Sequence, residues 1–184
     1  MNQHDMTRNM VLAALFAALT AIGAFLQIPT GTVPITLQFL FTALAGLLLG
    51  WKWGAVSQLL YVGIGLLGLP VFTQGGGIGY VLQPSFGFLL GLIPAAAVIG
   101  ALTARRTGYL TVLAAVLVGD LILYAGGVPY MYLILHVYMQ SAKTFPALLA
   151  AMLVYVPGDT LKIVVVTALA PVLRRTLVKA VPNL

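Results

Sequence analysis

Apolar residues in this chain run in long blocks, and Gly, Pro and isolated charges punctuate them. A helix needs about 20 apolar residues to cross the roughly 30 Å of hydrocarbon in a bilayer. The punctuation yields six stretches of suitable length. The first runs from about Met10 to Leu26 and stops before the turn-like Ile28-Pro29-Thr30-Gly31. The second starts after Pro34 and ends at Gly50, where Trp51-Lys52-Trp53 supplies an aromatic and cationic anchor for the interface. The third covers Gly54 to Leu69 and ends at Pro70; the fourth lies between Pro84 and Thr103, stopped by Arg105-Arg106. The fifth spans Tyr109 to Ala125 and meets Gly126-Gly127-Val128-Pro129, which should break or kink it. The sixth runs from Pro146 to Val172, bounded by Arg174-Arg175. The pattern predicts an all-α membrane protein of six transmembrane helices, forming a single integral-membrane domain over residues 1–184.

Composition agrees with the pattern. Hydrophobic residues make up 61% of the chain and charged residues 7%, against about 45–50% and about 25% in soluble domains. That leaves too little polar side chain to coat a water-facing surface, which argues against a soluble enzyme, a disordered chain and a nucleic-acid-binding domain. The net charge of +6 comes from residues spread in ones and twos rather than along one face. The absence of cysteine removes disulfides, thiolate catalysis and Cys-ligated metal centres. Met1 to Arg8 is too short and polar for a signal peptide, so the first apolar stretch is expected to stay in the mature protein.

The few charges orient the chain. With six spans and a cytoplasmic N-terminus, the inner segments hold Arg8, Lys52, Arg105, Arg106, Arg174, Arg175 and Lys179, and the outer segments hold only Lys143. The excess of cations on cytoplasmic loops therefore predicts both termini inside. On the outer side, Pro70-Val71-Phe72-Thr73-Gln74-Gly75-Gly76-Gly77-Ile78-Gly79-Tyr80, between the third and fourth spans, is glycine-rich and uncharged. Backbone polar groups cannot stay unpaired in hydrocarbon, so this segment should pack on protein or line a cavity. It reads either as a flexible connection or as a lid over an outward-facing pocket.

Three charges fall within spans: Asp120, Asp159 and Lys162. Each costs at least about 2.5–3.5 kcal/mol at mid-bilayer, so each should face protein or a ligand cavity. Asp159 precedes Arg174 by 15 residues and Asp120 follows Arg106 by 14, placing both roughly 21–23 Å above the basic anchors. Lys162 lies one turn lower, on the same face as Asp159. Asp159 and Lys162 form either a self-neutralising ion pair or a pair split by a polar ligand. Asp120 fits a countercharge or a pocket network better than direct contact.

Other chemistry lacks residues. The glycines of 75–79 have no strand–helix unit around them and no Gly-Lys-Ser/Thr after them, so the chain has no ATP-hydrolysing loop. His4 and His136 are far apart and lack carboxylate companions, so no metal site is expected. No catalytic residues, enzyme activity or cofactor are expected. In the first span, Ala13, Ala17 and Ala21 form one small-residue row and Ala14 with Ala18 a second beside it. Such rows let another helix approach closely in lipid, either within the chain or from a separate protein.

The runs Ala14-Leu15-Phe16-Ala17-Ala18-Leu19-Thr20-Ala21, Val33-Pro34-Ile35-Thr36-Leu37-Gln38 and Leu44-Ala45-Gly46-Leu47-Leu48-Leu49-Gly50 resemble the BioY family. So do Gly68-Leu69-Pro70-Val71-Phe72, Gly75-Gly76-Gly77-Ile78-Gly79-Tyr80 and Pro157-Gly158-Asp159-Thr160-Leu161-Lys162, in the same order along essentially the whole chain. The resemblance implies a biotin-specific substrate-binding (S) component of an energy-coupling-factor (ECF) transporter in the cell membrane. Such a protein binds biotin near the outer face and works with a transmembrane coupling protein and two cytosolic ATPases. By that resemblance Asp159 and Lys162 bind biotin, Gln74, Gly77 and Tyr80 belong to the lid, and Ala13, Ala14, Ala17 or Ala18 dock the coupling protein. One departure is Gln83-Pro84-Ser85-Phe86-Gly87, where the family often has Gly-Pro-Thr-Gly-Gly. An S component for another vitamin and a stand-alone carrier that couples protons through Asp120 and Asp159 are the alternatives.

Overall fold

The computed structural model describes residues 3–30, 33–106 and 108–180, without the side chains of 174–180. Gly31, and the side chains of Arg174, Arg175 and Lys179, on which part of the sequence reading rests, lie outside the described residues. Helix α1 (Gln3–Phe25) begins well before the apolar block, with an Asp5–Arg8 ion pair at 3.4 Å within its first turns. A short antiparallel hairpin follows, β1 (Gln27–Ile28) pairing with β2 (Ile35–Thr36).

Helix α2 (Gln38–Leu66) is two helical legs joined at a sharp kink rather than one straight helix. Gln38 and Tyr61, 23 positions apart, hydrogen-bond at 2.8 Å, whereas a straight helix would separate them by about 34 Å. The chain reverses at Gly50, whose φ of 77° and ψ of 179° fall in a region open essentially only to glycine. Legs 38–49 and 51–66 therefore run antiparallel, so close that a Cβ on Gly54 would lie 2.9 Å from the Gly46 Cα. They are the second and third spans expected from sequence, joined by a turn rather than a loop.

Helix α3 (Phe86–Thr103) packs antiparallel on α4 (Tyr109–Leu133), with Gly87 against Tyr130, Gly91 against Leu123 and Gly119 against Ile99. Small residues at these crossings let backbones approach, which is how helices associate in lipid. Of the break or kink expected at Gly126-Gly127-Val128-Pro129, the break does not occur. Helix α4 continues through Pro129 and adds a π turn over Ile134–Tyr138. The ring of Phe88 fills the space over Gly127.

The sixth stretch differs too. Its start forms a short α5 (Phe145–Ala151) and a 3-10 turn (Met152–Val154), and the crossing helix α6 begins only at Val156 (Val156–Ala180). The bend falls where Tyr155 turns inward to donate a hydrogen bond to the Val33 carbonyl. Helices α1, α3, α4 and α6 and the two legs of α2 thus make six passes. Arg8, Lys52, Arg105 and Arg106 gather at one end; the β hairpin, the glycine-rich loop and α5 close the other.

Candidate functional site

At the end opposite the cationic residues, a cavity opens among α2, α3, α4, α6 and their connections. The cavity proper is small, about 70 Å³, and opens into a wider hollow at its mouth. Phe39, Phe88, Leu89, Leu92, Leu123 and Met152 make most of its wall apolar, and Thr36, Gln38, Thr73, Tyr80, Ser85, Tyr124, Tyr155, Asp159 and Lys162 supply the polar groups.

Helix α6 sets the charged pair. Pro157 and Gly158 occupy its first turn, and Asp159 follows with its amide bonded to the Tyr155 carbonyl at 2.9 Å. A carboxylate in a first turn faces the positive end of the helix dipole. One turn on, Lys162 Nζ lies 2.5 Å from Asp159 Oδ1. Both residues are 7% exposed. The Tyr124 hydroxyl donates to Asp159 Oδ2, and Lys162 Nζ donates to the Thr36 carbonyl at 3.2 Å. A pair this far from water is costly to separate from its partners, yet Lys162 has a third N–H to offer and Asp159 further lone pairs. Side by side, they complement a ligand that carries a donor and an acceptor at its polar end.

The glycine-rich loop folds onto protein, as its missing charges require. Gly77 N–H bonds to the Gly65 carbonyl at 2.7 Å, and Phe72 N–H to the Gly75 carbonyl at 2.9 Å. Phe72 is 1% exposed, and its ring sits where any side chain on Gly65 would be. Aromatic contacts continue from Tyr61 to Phe72, Tyr80, Phe86 and Tyr130. Tyr80 shares a hydrogen bond with Thr73 at 2.9 Å and a longer one with Ser85 at 3.4 Å.

Among the residues singled out by sequence, Asp159, Lys162 and Tyr80 stand on the cavity wall. Gln74 is exposed and Gly77 braces the loop from behind; neither lines the wall, to which the loop contributes Thr73 and Tyr80. Asp120 lies one turn below Tyr124 on α4, within electrostatic reach of Asp159 and Lys162 but off the wall. Its Oδ1 is buried and accepts no hydrogen bond among the described residues. The two alanine rows part company: Ala13 and Ala17 are buried inside the bundle, whereas Ala14 and Ala18 are exposed on its lipid side.

Thr36, Gln38, Tyr124, Tyr155 and Ser85 were not singled out. The signal available for most of them was polarity inside an apolar block. Ser85 sits in the segment that departs from the family pattern. No cluster of three or more His, Cys, Asp or Glu side chains suited to a metal exists among the described residues.

The chain matches the BioY family model over residues 1–179. The probable biotin transporter BioY of Lysinibacillus sphaericus is 52% identical over 147 residues, covering 79% of this chain and 75% of that protein. The biotin transporter BioY of Thermotoga maritima is 35% identical over 164 residues, 89% of this chain and 94% of that one. In three dimensions the chain superposes on the crystal structure of the S-component for biotin from an ECF-type ABC transporter. That match has a TM-score of 0.83 and 28% identity, and covers 95% of each chain. A bundle of six passes, a cavity at the end away from the cations and an Asp–Lys pair in its wall thus sit in a sequence whose relatives share nearly its full length. The chain is a multi-pass membrane protein and belongs to the BioY family.

Proposed function

We propose that this chain is the biotin-binding S component of an ECF-type transporter, capturing biotin from outside the cell and delivering it to the cytoplasm. The observation that carries this reading is the apolar cavity with the buried Asp159–Lys162 pair in its wall. An apolar wall with polar groups from α6, the β hairpin and the glycine-rich loop suits a ligand whose hydrocarbon chain and sulfur ring separate a cyclic urea from a carboxylate. The biotin transporters among the relatives, and the S-component for biotin with the same fold, support this choice. The protein is a carrier rather than an enzyme, and ATP is used by separate subunits.

The cations at the end formed by Arg8, Lys52, Arg105 and Arg106 favour that end as cytoplasmic, with both termini inside and the cavity facing out. The exposed row Ala14–Ala18 offers the flat face that a transmembrane coupling protein would need, with two cytosolic ATPases beneath it. In the bound state Lys162 would turn its free N–H to the ligand, and Asp159, steadied by Tyr124, would accept from it. Purified chain tested against a panel of vitamins should be stabilised by biotin alone. Lys162→Ala should weaken biotin binding at least about tenfold, some 1.4 kcal/mol. Unchanged affinity would return the pair to a purely structural role, and stabilisation by a different vitamin would replace biotin as the ligand.

A second reading rests on the unpartnered Oδ1 of Asp120: a carrier that couples protons on its own. Uptake by vesicles that contain this chain without ATPases, abolished by a protonophore, would favour it.

A further inference from the structure

Behind the cavity wall runs a chain of hydrogen bonds whose direction is fixed at every step. Thr36 Oγ1 donates to Gln38 Oε1 at 2.8 Å, Gln38 Nε2 donates to the Tyr61 hydroxyl at 2.8 Å, and that hydroxyl donates to the Val71 carbonyl at 3.0 Å. Thr36 and Gln38 belong to the wall on the side of the β hairpin, while Val71 opens the loop that carries Thr73 and Tyr80 to the opposite wall. Tyr61 does not line the cavity. It is 1% exposed, and its ring meets Phe72 edge-on at 5.5 Å.

We propose that Tyr61 is a positioning residue for the ligand: its hydroxyl ties the glycine-rich loop to the Thr36–Gln38 segment, so that the two walls hold the ligand as one unit. This inference rests on the biotin-binding reading above. Whereas the other side-chain bond between hairpin and loop, Gln27 Nε2 to the Thr73 carbonyl, is exposed and long at 3.4 Å, the Tyr61 hydroxyl both accepts and donates out of reach of water. Removing it would leave two buried partners, Gln38 Nε2 and the Val71 carbonyl, without their bonds. The loop would then keep its backbone bonds to Gly65 and a long, exposed bond from Gln27 Nε2 of β1 to the Thr73 carbonyl at 3.4 Å, but lose its buried tie to the Thr36–Gln38 segment.

A second polar cluster lies deeper in the bundle and supplies the control. Gln58 accepts from Thr42 at 2.9 Å and donates to Thr20 at 3.3 Å and to Ser57 at 3.0 Å, joining α1 to the legs of α2. None of these four residues lines the cavity. If buried polar bonds matter here only for stability, the two clusters should behave alike.

The test uses the full chain in detergent loaded with labelled biotin, chased with unlabelled biotin, with thermal unfolding recorded in parallel. Tyr61→Phe keeps the ring on Phe72 and should speed dissociation about tenfold, the worth of one lost buried bond, with association within about twofold of wild type. Gln58→Leu should lower the unfolding temperature but leave dissociation within about twofold of wild type, because its bonds do not reach the cavity. Unchanged dissociation in Tyr61→Phe overturns the proposal, as does an equal acceleration in Gln58→Leu. Should Tyr61→Phe not fold, hydrogen exchange on the wild type decides: biotin should slow exchange of the Phe72, Gly75 and Gly77 amides, and no slowing overturns the proposal. A wild-type chain that holds no biotin overturns the functional reading, and this inference with it.

Discussion

Lys162 and Asp159 meet at 2.5 Å where almost no water reaches, so each supplies much of the other's compensation for lost solvent. Breaking such a pair from one side strands the survivor. Lys162→Met should therefore destabilise the ligand-free chain by about 3 kcal/mol or more, whereas Lys162→Met with Asp159→Asn should recover most of that loss. Thermal unfolding without biotin gives the order; a double variant no more stable than the single one would refute it. These two residues were legible because a charge inside an apolar block is expensive and so conspicuous. Tyr124, which steadies Asp159 from 35 positions away, was not legible. A tyrosine in a span is unremarkable until helix packing shows which carboxylate it faces. Gln74 and Tyr80 make the same point within one loop: sequence marked both, and only the fold turns Tyr80 inward and leaves Gln74 exposed.

Helix α2 shows what a single residue does for an element. With Gly50 holding the reversal, the two legs press together through Gly46 and Gly54, and a Cβ at Gly46 would come within 2.5 Å of the Ala96 carbonyl oxygen. Gly46→Val should thus cost about 1–3 kcal/mol through overpacking. Gly63→Ala, in the same helix but with open space where its methyl would go, should be neutral or stabilising by up to about 1 kcal/mol. Comparing their unfolding temperatures checks the packing directly. The passes were readable from block length because hydrocarbon demands length and little else. Their ends were not. Gly-Gly and Pro within 126–129 look like a stop in any water-exposed helix, but α4 runs on through them, with Phe88 packed on Gly127. Conversely, the apolar run from Pro146 to Val172 conceals the bend at 152–155, where a tyrosine bonds to the hairpin connection more than a hundred residues earlier.

The outer surface of the whole bundle separates its two alanine rows by use. Ala17 is buried against the chain's own helices, and Ala18 lies open beside it. Ala18→Trp should leave biotin affinity in detergent unchanged while abolishing uptake or assembly with a coupling protein; intact uptake would leave the Ala14–Ala18 row facing lipid alone. Orientation is testable because the chain has no cysteine of its own. In whole cells an impermeant thiol reagent should label Gln74→Cys but not Arg106→Cys, and the reverse pattern would invert the topology. Two rulers then measure how far in the cavity sits. Gln38 stands 11 residues from Leu49 along the short leg of α2, and Lys162 stands 12 residues from Arg174 along α6. At about 1.5 Å per residue, both place the polar floor of the cavity roughly 17–18 Å above the basic face. In a hydrocarbon layer about 30 Å thick, that is close to the midplane. On the proposed orientation, a captured molecule would complete nearly half of its passage on binding, and the stroke left to an ATP-driven step would be correspondingly short.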